Sequence, residues 1–317
     1  MNLNIKIEKV LGGWLMIRPE RQVAGIKWIE TERLTAEERQ LLQDRYAIDE
    51  DIMTYVTDKD ESANYVHDIN EGDQLFIFLA PYPLDRKNLR YITRPFAILL
   101  HKGRLFTFNE SGIREVNAAF RDAVDNPEVQ NVDAFILEAL FSLADSYIPI
   151  SREASKKRNH LDKMLNQKTK NTDLIALSHL QQTLTFLSSA TQINLNLLNR
   201  LPRTYFGRDA DQDKKDLFED VQIEAEQVQR MIEIETQVVD RIDHTFNNIA
   251  NNNLNDTMKF LTIWSLTMAV PTIITGFYGM NVALPLSKMA DAWIIVILIS
   301  ITLIVWLLVM LRMRHKI

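Results

Sequence analysis

The chain has 317 residues, no cysteine and a net charge of −6, which removes thiolate metal sites and disulfides. The acidic balance argues against a nucleic-acid partner, since duplex binding needs clustered basic surface, and suits a chain that handles cations. Residues 1–257 exceed one ordinary domain of about 100 to 200 residues, so two units are expected ahead of the apolar C-terminal part.

The start, Met1-Asn2-Leu3-Asn4-Ile5-Lys6, has no charged region leading into an apolar stretch, so neither a cleaved signal peptide nor a transit peptide is expected. Residues 5–10 and 14–18, separated around Gly12-Gly13, read as a hairpin. Thr35 with Glu38 forms the capping-box pattern of a helix running to about Tyr46. Residues 74–80 are a continuous apolar run ended by Pro81 and Pro83, and 90–101 and 104–109 flank the turn Lys102-Gly103. The pattern predicts a mixed α/β domain over 1–127, ending near Asp125-Asn126-Pro127.

From Val132 the pattern turns helical. Residues 132 to about 167 and 173–201 read as an antiparallel pair joined at 168–172. In a third helix Val221, Ala225, Val228, Ile232, Glu235, Val239, Ile242, Phe246 and Ile249 fall at alternating steps of four and three, the spacing of a coiled coil. No Gly or Pro lies between Gly207 and Pro271, so this helix is expected to run from about 211 to 279, on the order of 100 Å. Residues 128–257 are thus expected to form a helical domain and stalk, whose seam needs partner helices from other copies of the chain.

Residues 258–317 read as a transmembrane domain. Uncharged runs at 260–287 and 292–311 are each long enough to cross a bilayer, which takes about 20 apolar residues, giving spans at about 260–280 and 292–311. Lys259 precedes the first, Arg312, Arg314 and Lys316 follow the second, and Lys288 stands alone between them. By the positive-inside rule both termini are cytoplasmic, in a multi-pass protein of the plasma (inner) membrane. Within the first span Thr262, Ser265, Ala269, Thr272 and Gly276 share one face. Small residues there fit close helix packing, and hydroxyls there also fit the lining of a water-filled pore. Upstream the stripe reaches Leu261, Met258 and Asn255, beside Asn247, Asn248, Asn251, Asn252 and Asn253. Asn is a poor helix former, so this is either a loosened helical segment or a ring of amide oxygens offered to a cation. Spacing alone leaves both readings open.

Asn255-Asp256-Thr257-Met258-Lys259 leads into a Pro-bearing span that closes on Gly276-Phe277-Tyr278-Gly279-Met280-Asn281, followed by a short loop, a second span and a basic tail. This arrangement resembles the CorA family of divalent-cation channels. The resemblance covers the whole architecture and is sharpest over 255–281. It implies an α/β/α cytoplasmic domain, a stalk helix continuous with the first span, and a funnel-shaped homopentamer whose five first spans enclose a pore. On the matching positions Asn281 would form the selectivity ring, Gly279 and Met280 would shape the mouth, and Thr272, Ala269, Leu261, Met258 and Asn255 would line the conduit, which tips the stripe toward pore lining. The implied function is inward movement of hydrated Mg2+, with Co2+ or Ni2+ as further cargo, down the electrochemical gradient. Intracellular Mg2+ would gate it by binding between cytoplasmic domains at Asp85 and Asp220, with Glu219 and Asp216 as rivals for the second position.

Partners implied are the lipid membrane, divalent cations and other copies of the chain. No Gly-x-x-x-x-Gly-Lys-Ser/Thr phosphate loop is present, so no nucleotide is expected, and no nucleophile motif, metal cluster or cofactor loop points to an enzyme. His67, His101, His160, His179, His244 and His315 show no pair at metal-ligand spacing. Two features depart from the family: the loop after Asn281 carries only Asp291 as an acid, and Lys288 adds a positive charge near the mouth. A zinc transporter of the same superfamily and a non-conducting membrane-anchored coiled-coil scaffold are the competing readings.

Overall fold

The computed structural model describes residues 16–69, 72–164, 171–282, 285 and 291–313. The expected hairpin over 5–18 and the junction at 168–172 fall wholly or largely outside the described residues. The chain divides into two compact units, Met1–Ile242 and Asp243–Ile317.

The first unit is built on a six-stranded sheet of order β1-β2-β6-β5-β4-β3. Its strands are β1 (Arg21–Val23), β2 (Ile26–Glu32), β3 (Asn64–His67), β4 (Gln74–Asp85), β5 (Arg90–His101) and β6 (Arg104–Asn109). Neighbours are antiparallel except β2 and β6, which run parallel from Lys27 opposite Arg104 to Glu32 opposite Asn109. Successive side chains of a strand point to opposite faces. Phe96 and Ile98 of β5 therefore enter one core, and Ala97 and Leu99 the other. With both faces covered, the central strands are apolar without alternation, as the 74–80 run announces.

Helices α1 (Ala36–Tyr46) and α2 (Glu50–Thr57) cover the face of Leu99. The capping box forms as expected: Glu38 N donates to Thr35 Oγ1 at 3.2 Å, Thr35 N donates to Glu38 Oε2 at 2.9 Å, and the helix ends on left-handed Ala47. The other face carries α3 (Arg114–Asp125), α4 (Val132–Asp145), α5 (Tyr147–Met164), α6 (Asn171–Arg200) and the beginning of α7 (Gln212–Tyr278). Two polar pegs fix α6 to the sheet. Asn194 accepts from Leu79 N at 3.0 Å and donates to Leu79 O at 2.8 Å. Thr183 accepts from Tyr91 N at 3.0 Å and donates to Leu89 O at 2.9 Å.

Three expectations change. The helix expected over 132–167 is broken at Ser146, because Pro149 has no N–H to offer the carbonyl four residues earlier; α4 and α5 are separate helices. The division expected at residue 127 does not separate two cores. Trp28 and Phe96 share one cluster with Phe135, Leu195, Phe218 and Val221, since the sheet face would be bare without the later helices. The seam of α7 finds its partners inside the chain. Val221, Val228, Ile232 and Val239 are at most 2% exposed in the single chain. Glu235, the polar break in the seam, pairs with Arg158 of α5 at 3.0 Å, and Asp240 accepts from Gln181 of α6 at 2.8 Å.

The second unit holds the rest of α7 and α8 (Ala292–Met313). Among the described residues three helical stretches are long and apolar enough to cross a bilayer. The apolar window within Val132–Met164 is 67% buried in the first unit, whereas those of α7 and α8 are 0% and 6% buried. An apolar helix without protein cover is stable in lipid, which satisfies its surface while the helix satisfies its own backbone.

Candidate ion pathway and regulatory site

The final third of α7 is apolar with a polar stripe. Asn255, Met258, Leu261, Ala269 and Thr272 are all exposed in the single chain. The hydroxyls of Thr262, Thr272 and Thr275 each donate to the carbonyl four residues earlier, at Met258 O, Met268 O and Pro271 O, over 2.8 to 2.9 Å. A hydroxyl whose hydrogen is committed to the backbone presents only lone pairs outward. Each such threonine is therefore an acceptor, suited to a cation or to the hydrogens of its hydration water. Pro271, inside the helix, withholds one backbone donor from the same stretch.

The pathway residues do not all face one neighbour. Asn255 and Met258 border a cleft with Thr262, Ile263, Leu266 and Leu311 of α8, whereas Leu261, Ala269 and Thr272 lie outside it. At the far end Gly279 N donates to Thr275 O at 2.9 Å and Met280 N to Phe277 O at 3.3 Å, closing the last turn. A Cβ at Gly279 would stand 3.2 Å from Thr275 O, so a larger residue would press on the carbonyl that ends the helix. Met280 and Asn281 follow directly and are exposed. Lys288 lies outside the described residues.

Asp85 ends β4 at a register shift and is partly exposed. Its carboxylate accepts from Asn88 Nδ2 at 2.6 Å and Asn88 N at 3.2 Å, and these bonds, the side-chain one first, hold its pKa below the ordinary carboxylate value. Asn88 was not singled out from the sequence. The turn pattern Asp85-Arg86-Lys87-Asn88 is the signal that finds it. Lys157 of α5 donates to Asn88 O, placing a cation beside the turn. Asp220 is exposed on α7, as is Glu219, and Asp216 accepts from Gln212 at 2.7 Å. Among the described residues no three His, Cys, Asp or Glu come together as a metal site.

His101 is structural: Nδ1 meets Asp73 Oδ2 at 2.5 Å and Nε2 meets Tyr46 O at 2.9 Å, all inside the first unit.

The family model described as CorA-like Mg2+ transporter protein matches residues 23–315. The chain belongs to this family. A cobalt/magnesium transport protein CorA of Methanocaldococcus jannaschii is 21% identical over 250 residues, covering 77% of this chain and 78% of its own. The solved complete structure of the CorA magnesium transporter from that organism superposes with a TM-score of 0.76 at 20% identity, over 90% of each chain. The solved full-length CmaX protein superposes with a TM-score of 0.67 at 13% identity, over 90% of this chain and 88% of its own. At these identities the structural likeness establishes the fold, and the family match makes this chain a divalent-cation transport protein of the membrane.

Proposed function

We propose that this CorA-family chain is a Mg2+ channel that assembles as a homopentamer and carries the hydrated ion into the cytoplasm. The observation that carries the reading is the stripe of exposed acceptors on the otherwise apolar final third of α7, leading to Gly279-Met280-Asn281. Mg2+ holds its waters at about 2.0 to 2.1 Å and sheds them reluctantly. Neutral amide and hydroxyl oxygens can bind the ion through those waters, strongly enough to admit it and weakly enough to release it. Carboxylates in the same ring would hold it longer. Five Asn281 side chains form the outer filter in this reading, and Thr272, Ala269, Leu261, Met258 and Asn255 line the path inward. Met258 and Leu261 are apolar, and a ring of such side chains closes a conduit by dewetting.

With the termini in the cytoplasm, moving two charges through 100 mV supplies about 4.6 kcal/mol, so transport needs no nucleotide. Residues 1–257 are then cytoplasmic, ahead of the transmembrane part. Asp85 and Asp220 fit a regulatory Mg2+ in their chemistry, being oxygen donors of the kind this ion takes. Among the described residues neither belongs to a group of three His, Cys, Asp or Glu in its own chain, so in this reading the site draws ligands from two copies, the remainder being water.

Asn281→Ala tests the filter. The variant is expected to keep the oligomer's elution volume on size-exclusion chromatography and to lose Mg2+ uptake into liposomes. Wild-type flux in that variant removes Asn281 from the filter.

A further inference from the structure

The parallel strands β2 and β6 end side by side, with Glu32 opposite Asn109. Beyond those ends the chain turns to opposite faces. Leu42 of α1 enters one core, whereas Val116 and Phe120 of α3 enter the other. Where connections from adjacent parallel strands diverge, they leave a crevice at the carboxyl ends, and open α/β sheets hold ligands there.

Here the crevice is a cleft of about 470 Å3 lined by Arg33, Arg39, Lys59 and Arg94, with Tyr82 and Ser111 among them. That volume falls in the ordinary range for small-molecule sites, about 300 to 1,000 Å3. Arg94 is paired with Asp60 at 2.5 Å and Arg39 with Glu110 at 3.3 Å. Glu110, which also borders the cleft, is held by Leu34 N at 3.1 Å as well as by Arg39. Neither Arg33 nor Lys59 belongs to an ion pair among the described residues, and Arg39 Nε is buried without a hydrogen-bond partner.

Arg33 is also held in place at a cost. Its φ of 51° is left-handed, a conformation non-glycine residues adopt rarely. Its guanidinium lies against Gly112, itself at φ 64°, so closely that a Cβ there would come within 2.3 Å of Arg33 Nε. Backbone strain of this kind gathers at ligand-binding positions, and nothing in the cation pathway uses it.

We propose that this cleft binds a phosphate-bearing small molecule. Arg33 and Lys59 supply the uncommitted positive charge, and Arg39 Nε and the Ser111 hydroxyl supply further donors. Guanidinium groups match phosphate oxygens with paired N–H bonds, and two free cations beside two paired ones give the cleft a net attraction for a polyanion.

The test is calorimetric titration of the full-length, detergent-solubilised protein with pyrophosphate, in EDTA so that divalent-cation binding plays no part. Saturable binding is expected, weakened about tenfold or more in Arg33→Gly and in Lys59→Gln, the loss that follows from deleting one charged hydrogen-bonding group. Arg33→Gly suits the position because glycine adopts the left-handed backbone freely, and an unchanged melting temperature separates lost binding from lost folding. Parallel titrations with orthophosphate and ATP identify the source: tighter ATP binding means a nucleotide, and orthophosphate matching pyrophosphate means free phosphate. No saturable heat from any of the three, or wild-type affinity in Arg33→Gly and Lys59→Gln, overturns the proposal. The readout is binding alone, so it stands or falls separately from cation flux.

Discussion

Thr272 shows how one hydroxyl can serve a cation path without a carboxylate. Its proton is spent on Met268 O, so what it turns outward is acceptor only. Thr272→Val keeps the branched shape and helical backbone but removes the oxygen. Mg2+ uptake into liposomes is expected to fall about tenfold or more, the weight of one hydrogen-bonding group to a charged partner. Thr272→Ser should restore most of it. Equal flux in Thr272→Val and wild type would assign the stripe to helix packing. The distinction matters because periodicity alone fits both uses, and the residue identities point to the pore only through the family.

At the scale of elements, α7 joins two chemistries in one helix of 67 residues. Up to Ile242 its apolar stripe is buried against helices of its own chain, and beyond Asp256 its apolar surface is open. Val239 is fully buried, and an uncompensated carboxylate in an apolar core is among the most destabilising single changes. Val239→Asp is therefore expected to lower the thermal midpoint of the first unit by circular dichroism, whatever the oligomeric state. An unchanged midpoint with a dissociated oligomer would return the seam to the interface between copies. The heptad spacing was legible in the sequence, but the partner was not, because a seam of Val and Ile packs equally well against its own chain or another. The capping box of α1, the strands β4 to β6 and the apolar spans were legible for the opposite reason: their signals are local. The break at Ser146 was local too, and it rests on Pro149, whose missing donor outweighs the apolar pattern around it. The shared core across residue 127 depends on which helices cover one sheet face, a contact between Trp28 and Phe135 that no window of sequence contains.

For the whole molecule, the proposed regulation by internal Mg2+ has two copies share an ion, a reading that fits the finding that no three His, Cys, Asp or Glu gather among the described residues of one. Asp85 is ready for that task. Its depressed pKa means it binds fewer protons folded than unfolded, so the stability from its Asn88 bonds is present above the ordinary carboxylate range and lost as pH falls through the lowered value. Near neutrality it is ionised and available to a cation. Two carboxylates facing each other across an interface repel without the ion and attract through it, so Mg2+ would favour the closed arrangement. Removing both ligands, as Asp85→Ala with Asp220→Ala, should leave the fold intact because both side chains reach solvent. In liposomes the double variant should keep conducting at internal Mg2+ concentrations that shut the wild type, and millimolar Mg2+ should no longer slow proteolysis of the first unit. A double variant inhibited and protected like wild type would exclude this pair, and the same two measurements on Glu219→Ala and Asp216→Ala would then locate the ligand on α7.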